Sequence, residues 1–229
     1  MTAKECTQNE KTGYPSIDKP WLKYYSEDAI NALLPECTIY EYIHESNRDY
    51  PDDIAMQYYG RNITFRTLFE EIDRAAAAFS KAGVKEGDIV TMVTVTTPET
   101  VYALYALNRL GAVSNMVDPR TSEEGIRDYI REVNGTIVLT IDVALPKVAL
   151  AIEGTDVETL IVTSPFDSMP PVKRYALRML SLLKGHSENS GTKSTRWNAF
   201  IREGAGAGFE AAPYRKNRCC VIVHCRKDR

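Results

Sequence analysis

The apolar positions of this chain follow two rhythms, the three-and-four spacing of amphipathic helices and the short β-branched runs of buried strands. Phe65, Leu68, Phe69, Ile72, Ala75, Ala76 and Phe79 fall on one face of a 3.6-residue period. Thr64 stands where that helix needs an N-cap, and Gly83 where it needs a left-handed stop. Upstream, Thr38 and Glu41 have capping-box spacing, and the helix they open is expected to carry Ile39, Tyr42 and Ile43 on one face. Between the two helices, residues 54–59 and 62–65 flank Gly60-Arg61 and predict two short strands around a turn.

From Asp88 onward the two rhythms alternate. Residues 89–95 are rich in Val, Ile and Thr and predict a strand. Pro98 and Glu99 suit the first turn of a helix that runs to Leu110 and closes at Gly111. A second strand, 112–117, ends at Asp118-Pro119. Thr121 and Glu124 have capping-box spacing for a helix through Ile126, Tyr129, Ile130 and Val133, which Asn134-Gly135 ends. A third strand (137–141), a helix (143–152) and a further strand (160–162) complete the series. Strand–helix alternation with short connections implies right-handed βαβ units around a mainly parallel sheet, an α/β fold.

The two ends differ from this core. Residues 1–20 are polar, and 21–34 form an apolar and aromatic stretch expected to dock on the body of the protein. After Pro165, prolines 170 and 171 interrupt regular structure. Residues 172–184 then predict a basic, Leu-rich helix, 185–195 a polar loop and 204–208 a flexible Gly/Ala turn. The run Cys220-Val221-Ile222-Val223-His224 reads as a buried strand.

Composition narrows the functional classes. Lys+Arg 28 against Asp+Glu 31 gives a net charge of −3, which offers nothing to a nucleic acid. The polar N-terminus has no secretory core, and no apolar run is long enough for a transmembrane segment, so a cytoplasmic location is expected. Five cysteines, an odd number at irregular spacing, argue against a disulfide framework. Cys219, Cys220, Cys225 and His224 cluster, but adjacent Cys219 and Cys220 would point to opposite faces of a strand, so no metal site is expected.

Several phrases, in order, resemble the adenylate-forming (AMP-binding) superfamily of acyl-CoA synthetases, adenylation domains and luciferases. Ile63-Thr64-Phe65 with Leu68 is similar to its early [LI]-T-[YF]-x-x-L motif, and residues 83–90 to its G-V-x-x-G-D-x-V signature. Glu99 through Gly111-Ala112-Val113 to Asp118-Pro119 resembles the E-x6-A-x4-G-A-V segment and its [ND]-P turn. Trp197 with Phe200 is similar to a W-x-x-F phrase before the nucleotide loop. The resemblance spans residues 38–224 and is greatest for fatty-acid–CoA ligases. It implies a complete enzyme that activates a carboxylic, fatty acid with ATP and Mg and transfers the acyl group to CoA.

The same resemblance places the phosphate loop, the acidic metal ligands, a mobile Lys and most of the acyl pocket after the strand at 220–224. No position here matches them, so no catalytic, cofactor-binding or metal residue is assigned. ATP, Mg and CoA are expected to serve the complete enzyme and not to bind this part productively. The domains expected are an N-terminal extension (1–37), an incomplete N-terminal domain of the adenylate-forming fold (38–224) and an aberrant tail (225–229). Arg226-Lys227-Asp228-Arg229, back-translated as CGG-AAG-GAC-CGG and shifted by one base, reads Gly-Arg-Thr-Gly, so a frameshift is the expectation for that tail. A complementing C-terminal fragment is then the implied partner.

Other readings stay open on the residues alone. Thr64 serves as a helix cap before it serves as an active-site hydroxyl. Gly83, Gly87 and Gly111 suit turns, Asp88 and Asp118 are separate loop carboxylates, and His224 is a lone strand-end histidine. The basic helix could touch a membrane surface or pack its Leu residues inward. A stand-alone binding module on the same scaffold is the alternative function. A Rossmann redox domain would need G-x-G-x-x-G after a strand, and none occurs.

Overall fold

The structure is a computed structural model that describes residues 12–33, 35–170, 173, 194–216 and 220–223. The chain divides into two compact units, 1–36 and 37–229. The first contains α1 (Pro15–Asp18), a 3-10 turn at Pro20–Tyr24 and α2 (Glu27–Asn31), none of which has a buried side chain. Ser26 caps α2 by accepting from the Ala29 N–H at 3.2 Å.

The second unit opens with α3 (Ile39–Asn47), and its capping box forms as the sequence predicts. The Glu41 N–H donates to Thr38 Oγ1 at 3.1 Å, and the Thr38 N–H donates to Glu41 Oε2 at 2.7 Å. The buried face differs from expectation. Ile39 and Tyr42 are exposed and Tyr40 is buried. Tyr40 is drawn in by partners that periodicity does not reveal, the Phe69 ring and the Arg109 guanidinium 4.3 Å above its own ring.

Strands β1 (Ile54–Tyr58) and β2 (Arg61–Thr64) form an antiparallel hairpin. Its two turn residues, Tyr59 and Gly60, both have positive φ, the backbone that matches strand twist in a two-residue loop. Thr64 then caps α4 (Phe65–Lys81), whose predicted face is buried from Leu68 to Phe79. At its end the Val84 N–H reaches the Phe79 carbonyl and the Gly83 N–H the Ser80 carbonyl, both 3.0 Å. Gly83 has φ +95°, so this is a Schellman stop with Val84 packed under Phe79.

Six parallel strands follow, among the described residues: β3 (Ile89–Val93), β4 (Val113–Val117), β5 (Ile137–Ile141), β6 (Thr159–Thr163), β7 (Thr195–Arg196) and β8 (Val221–Val223). Their spatial order is β7-β6-β5-β3-β4-β8, with every pairing parallel. α5 (Pro98–Leu110) links β3 to β4 and packs with α4 on one face, in a core that includes Met92, Leu107, Leu139 and Phe79. α6 (Glu123–Val133) and α7 (Leu145–Ala151) pack on the other face around Val93, Ile126, Val138 and Val148. The chain steps one way from β3 to β4, then back past β3 to β5. Right-handed crossovers therefore put α5 and α6 on opposite faces.

Two local expectations shift. α6 is capped by Ser122, not Thr121, with the Gly125 N–H donating to Ser122 Oγ. The Thr121 N–H closes a turn on the Asp118 carbonyl, and its own carbonyl accepts from Lys147, so Thr121 belongs to the preceding turn. The run at 220–224 is a strand over Val221–Val223, but it lies at the sheet edge beside β4, where Cys220, Val221 and Ile222 are half-buried. His224, Cys219, residues 225–229 and the predicted basic helix apart from Lys173 lie outside the described residues. α8 (Trp197–Glu203) inserts Trp197 and Phe200 against Phe79, with ring centroids 6.4 and 5.0 Å away.

Candidate functional site

In a doubly wound sheet a crevice opens where neighbouring strands send their following loops to opposite faces. Here that point is β3, whose loop leads to α5, flanked by β4 and β5, whose loops lead to α6 and α7. A cavity of about 690 Å³ lies there, lined by residues 94–96, 116–120, 143, 144 and 147. Buried threonines tie the strand ends together. Thr140 Oγ1 donates to the Val93 carbonyl at 3.1 Å, Thr163 Oγ1 to the Thr140 carbonyl at 3.2 Å, and Thr100 Oγ1 to the Val95 carbonyl at 2.8 Å. Side-chain hydroxyls thus supply donors to carbonyls at the strand ends.

Two cations stand at the cavity. Lys147 on α7 donates through Nζ to the Pro119 and Thr121 carbonyls, each 2.9 Å away, and so ties α7 to the loop after β4. Arg120 is taken up by Asp118, with Nε 3.0 Å from both carboxylate oxygens. Nothing in the spacing of the sequence singled out Lys147. It is one polar position of a short helix, and only the right-handed return from β4 brings it over Pro119.

A second polar group lies under the loop after β6. Glu99, in the first turn of α5, is 2% exposed and accepts from Ser168 Oγ at 2.5 Å. Its Oε2 is buried and has no hydrogen-bond partner among the described residues. Burial pushes its carboxyl above the usual carboxylate range, against the opposing effect of the Ser168 bond. Tyr58 donates to the Pro165 carbonyl at 2.9 Å, and its hydroxyl is pushed up to about 12 by burial and then by Glu99. Ser164 Oγ donates to Asp142 Oδ2 at 2.6 Å. Glu99 was legible as a helix-start residue, but its burial was not.

The residues weighed in the sequence take structural places. Thr64 accepts from the Thr67 N–H as a cap. Asp88 accepts from the Lys85 N–H at 2.8 Å in the turn before β3, and Asp118 lines the cavity. No group of three or more His, Cys, Asp or Glu among the described residues is placed to hold a metal ion. The cavity loops, Thr94-Val95-Thr96-Thr97 and Asp118-Pro119-Arg120-Thr121, carry no glycine to bring backbone N–H groups around a triphosphate. The donor set here does not fit Mg-ATP.

A doubly wound parallel α/β domain with a switch-point crevice is the class that fold and site define. Residues 43–190 match the AMP-binding enzyme family, and the chain belongs to it. It is 26% identical over 169 residues to a long-chain-fatty-acid–CoA ligase of Bacillus subtilis (strain 168), covering 73% of this chain and 30% of that protein. An acetyl-coenzyme A synthetase of Brucella canis is 33% identical over 127 residues, 53% of this chain and 19% of the relative. In structure, an anthranilate CoA ligase in complex with anthranoyl-AMP aligns with a TM-score of 0.64 at 18% identity, over 82% of this chain and 32% of the other. A long-chain-fatty-acid–CoA ligase of Archaeoglobus fulgidus aligns at 0.62 and 14% identity, over 84% and 35%. The fold is that of the N-terminal portion of adenylate-forming ligases. The chain spans about a third or less of the length of these relatives. Among the described residues no helix is long and apolar enough to cross a membrane.

Proposed function

We propose that this chain is the N-terminal part of an acyl-CoA ligase, and that residues 1–229 supply scaffold and not chemistry. The whole enzyme would join a hydrophobic carboxylic acid to ATP, releasing pyrophosphate, and pass the acyl group from AMP to the CoA thiol. The observation that carries the reading is the family match over residues 43–190 together with a crevice whose donor set does not fit Mg-ATP. ATP, Mg and CoA then belong to parts of the whole enzyme outside this scaffold.

Two assays test this. The purified chain should show no acid-dependent ATP–pyrophosphate exchange, and exchange above background would overturn the scaffold role. A chimera in which residues 43–223 replace the matching part of the B. subtilis relative should retain exchange. A folded but inactive chimera would remove the ligase reading. The crevice favours the alternative of a non-catalytic binding module on the same scaffold. That reading gains if the isolated chain is monodisperse and unfolds cooperatively.

A further inference from the structure

We propose that the switch-point crevice is a seat for an amphipathic carboxylate, with its apolar body on Val95, Met116 and Val143 and its head on the Lys147 ammonium. This seat is additional to the acyl pocket that family resemblance places in later segments. It rests on the ligase reading only for the choice of a carboxylate over another single-charged anion.

Three observations converge. The cavity, about 690 Å³, falls within the usual range of small-molecule sites, roughly 300–1,000 Å³. Its mouth carries apolar β-branched side chains in water, Val143 77% exposed and Val95 48% exposed, while Val93, two residues before Val95, is 0% exposed. Exposed valines flanking a hollow are a surface that an apolar ligand would cover.

The third observation is the state of the cations. Carbonyls 119 and 121 orient the Lys147 ammonium without neutralising it, and they occupy two of its three hydrogens. Among the described residues no carboxylate forms a salt bridge with Lys147, whereas Arg120 is already paired with Asp118. One oriented, unneutralised charge beside an apolar wall selects a ligand with one negative head. A polyphosphate would need more donors than the glycine-free loops provide, and a cationic ligand would be repelled.

The test is titration of the intact chain with octanoate, followed by the Met116 methyl signal, with the Met56 methyl as a distant reference. Saturable movement of Met116 and none of Met56 is expected, with octanol binding about tenfold more weakly than octanoate for want of the charged head. Lys147→Gln should lower octanoate to the octanol level, and Lys147→Arg should keep most of the preference. Val143→Asp, at an exposed position that cannot disturb the core, should weaken both ligands. Inorganic phosphate should leave Met116 unmoved.

No saturable shift, equal affinity for octanoate and octanol, or an unchanged octanoate affinity in Lys147→Gln would each overturn the proposal. If Lys147→Gln does not fold, the octanoate–octanol comparison and Val143→Asp still decide it. An inactive chimera beside an intact octanoate titration would remove the ligase reading alone. The reverse result would remove the seat alone.

Discussion

Gly204 offers the sharpest test of how the helices meet. It follows α8 with φ −74° and ψ −11°, an ordinary helical backbone that alanine adopts without strain. A Cβ at this position would lie 2.4 Å from Ala78 Cα, 2.5 Å from Ala78 Cβ and 2.8 Å from Ala78 N. The obstacle is the backbone of α4, not the end of a flexible side chain, so the two helices must separate. Overpacking of this kind costs roughly 1–3 kcal/mol. The stiffer unfolded chain of an alanine variant returns about 0.4–1 kcal/mol. A net loss of about 1–2 kcal/mol corresponds to a fall in Tm of about 2–8 °C for a chain of this size. Urea unfolding followed by circular dichroism and by tryptophan fluorescence would measure it, with the slope checked for constancy. Gly208 is the internal control, since a Cβ there meets nothing within 4 Å among the described residues, and Gly208→Ala should be neutral or slightly stabilising. Adding Ala78→Gly to Gly204→Ala should recover only part of the loss, because the Cα and N contacts remain. An unchanged midpoint for Gly204→Ala would refute the close crossing of α8 on α4.

Two more predictions concern the backbone stop and the buried acid. Gly83→Val should destabilise by roughly 1–2 kcal/mol, because φ +95° is strained for a β-branched residue while an added Cβ meets nothing within 4 Å among the described residues; a thermal melt unchanged from wild type would show that α4 does not stop there. Glu99 has its folded pKa raised by burial, so the folded state binds more protons and stability should decline as pH rises from the ordinary glutamate range through that raised value, then level off. Glu99→Gln should flatten this decline in urea midpoints measured across pH, and a decline of undiminished slope in the variant would assign it to other groups.

Much of the fold was legible because its signals are local. The Thr38–Glu41 capping box, the Thr64 cap and the Gly83 stop depend on atoms within a few residues, and each forms as read. The α4 face was legible because burial on one side forces a 3.6-residue spacing. Where a distant partner chooses, the local reading shifts. Tyr40 displaces Ile39 and Tyr42 because Arg109 and Phe69 meet it, and Ser122 displaces Thr121 because Asp118 and Lys147 occupy Thr121 first. Residues 204–208 read as a flexible turn, yet Gly204 is a contact between helices, since glycine serves close approach as well as freedom.

The sequence by itself determined the α/β class, the order of strands and helices from Thr38 to Thr163 and the family, because hydrophobic period, caps and motif spacing are written along the chain; the strand Thr195–Arg196 and helix α8 were not read from it. It did not carry the crevice. That hollow exists because β5 returns to the far side of β3, which sends α6 and α7 to the opposite face from α5 and brings Lys147 over Pro119. Val95, Met116 and the Val143–Lys147 pair lie more than 20 residues from one another in the chain. Only the parallel sheet, with its right-handed crossovers, sets them around one cavity.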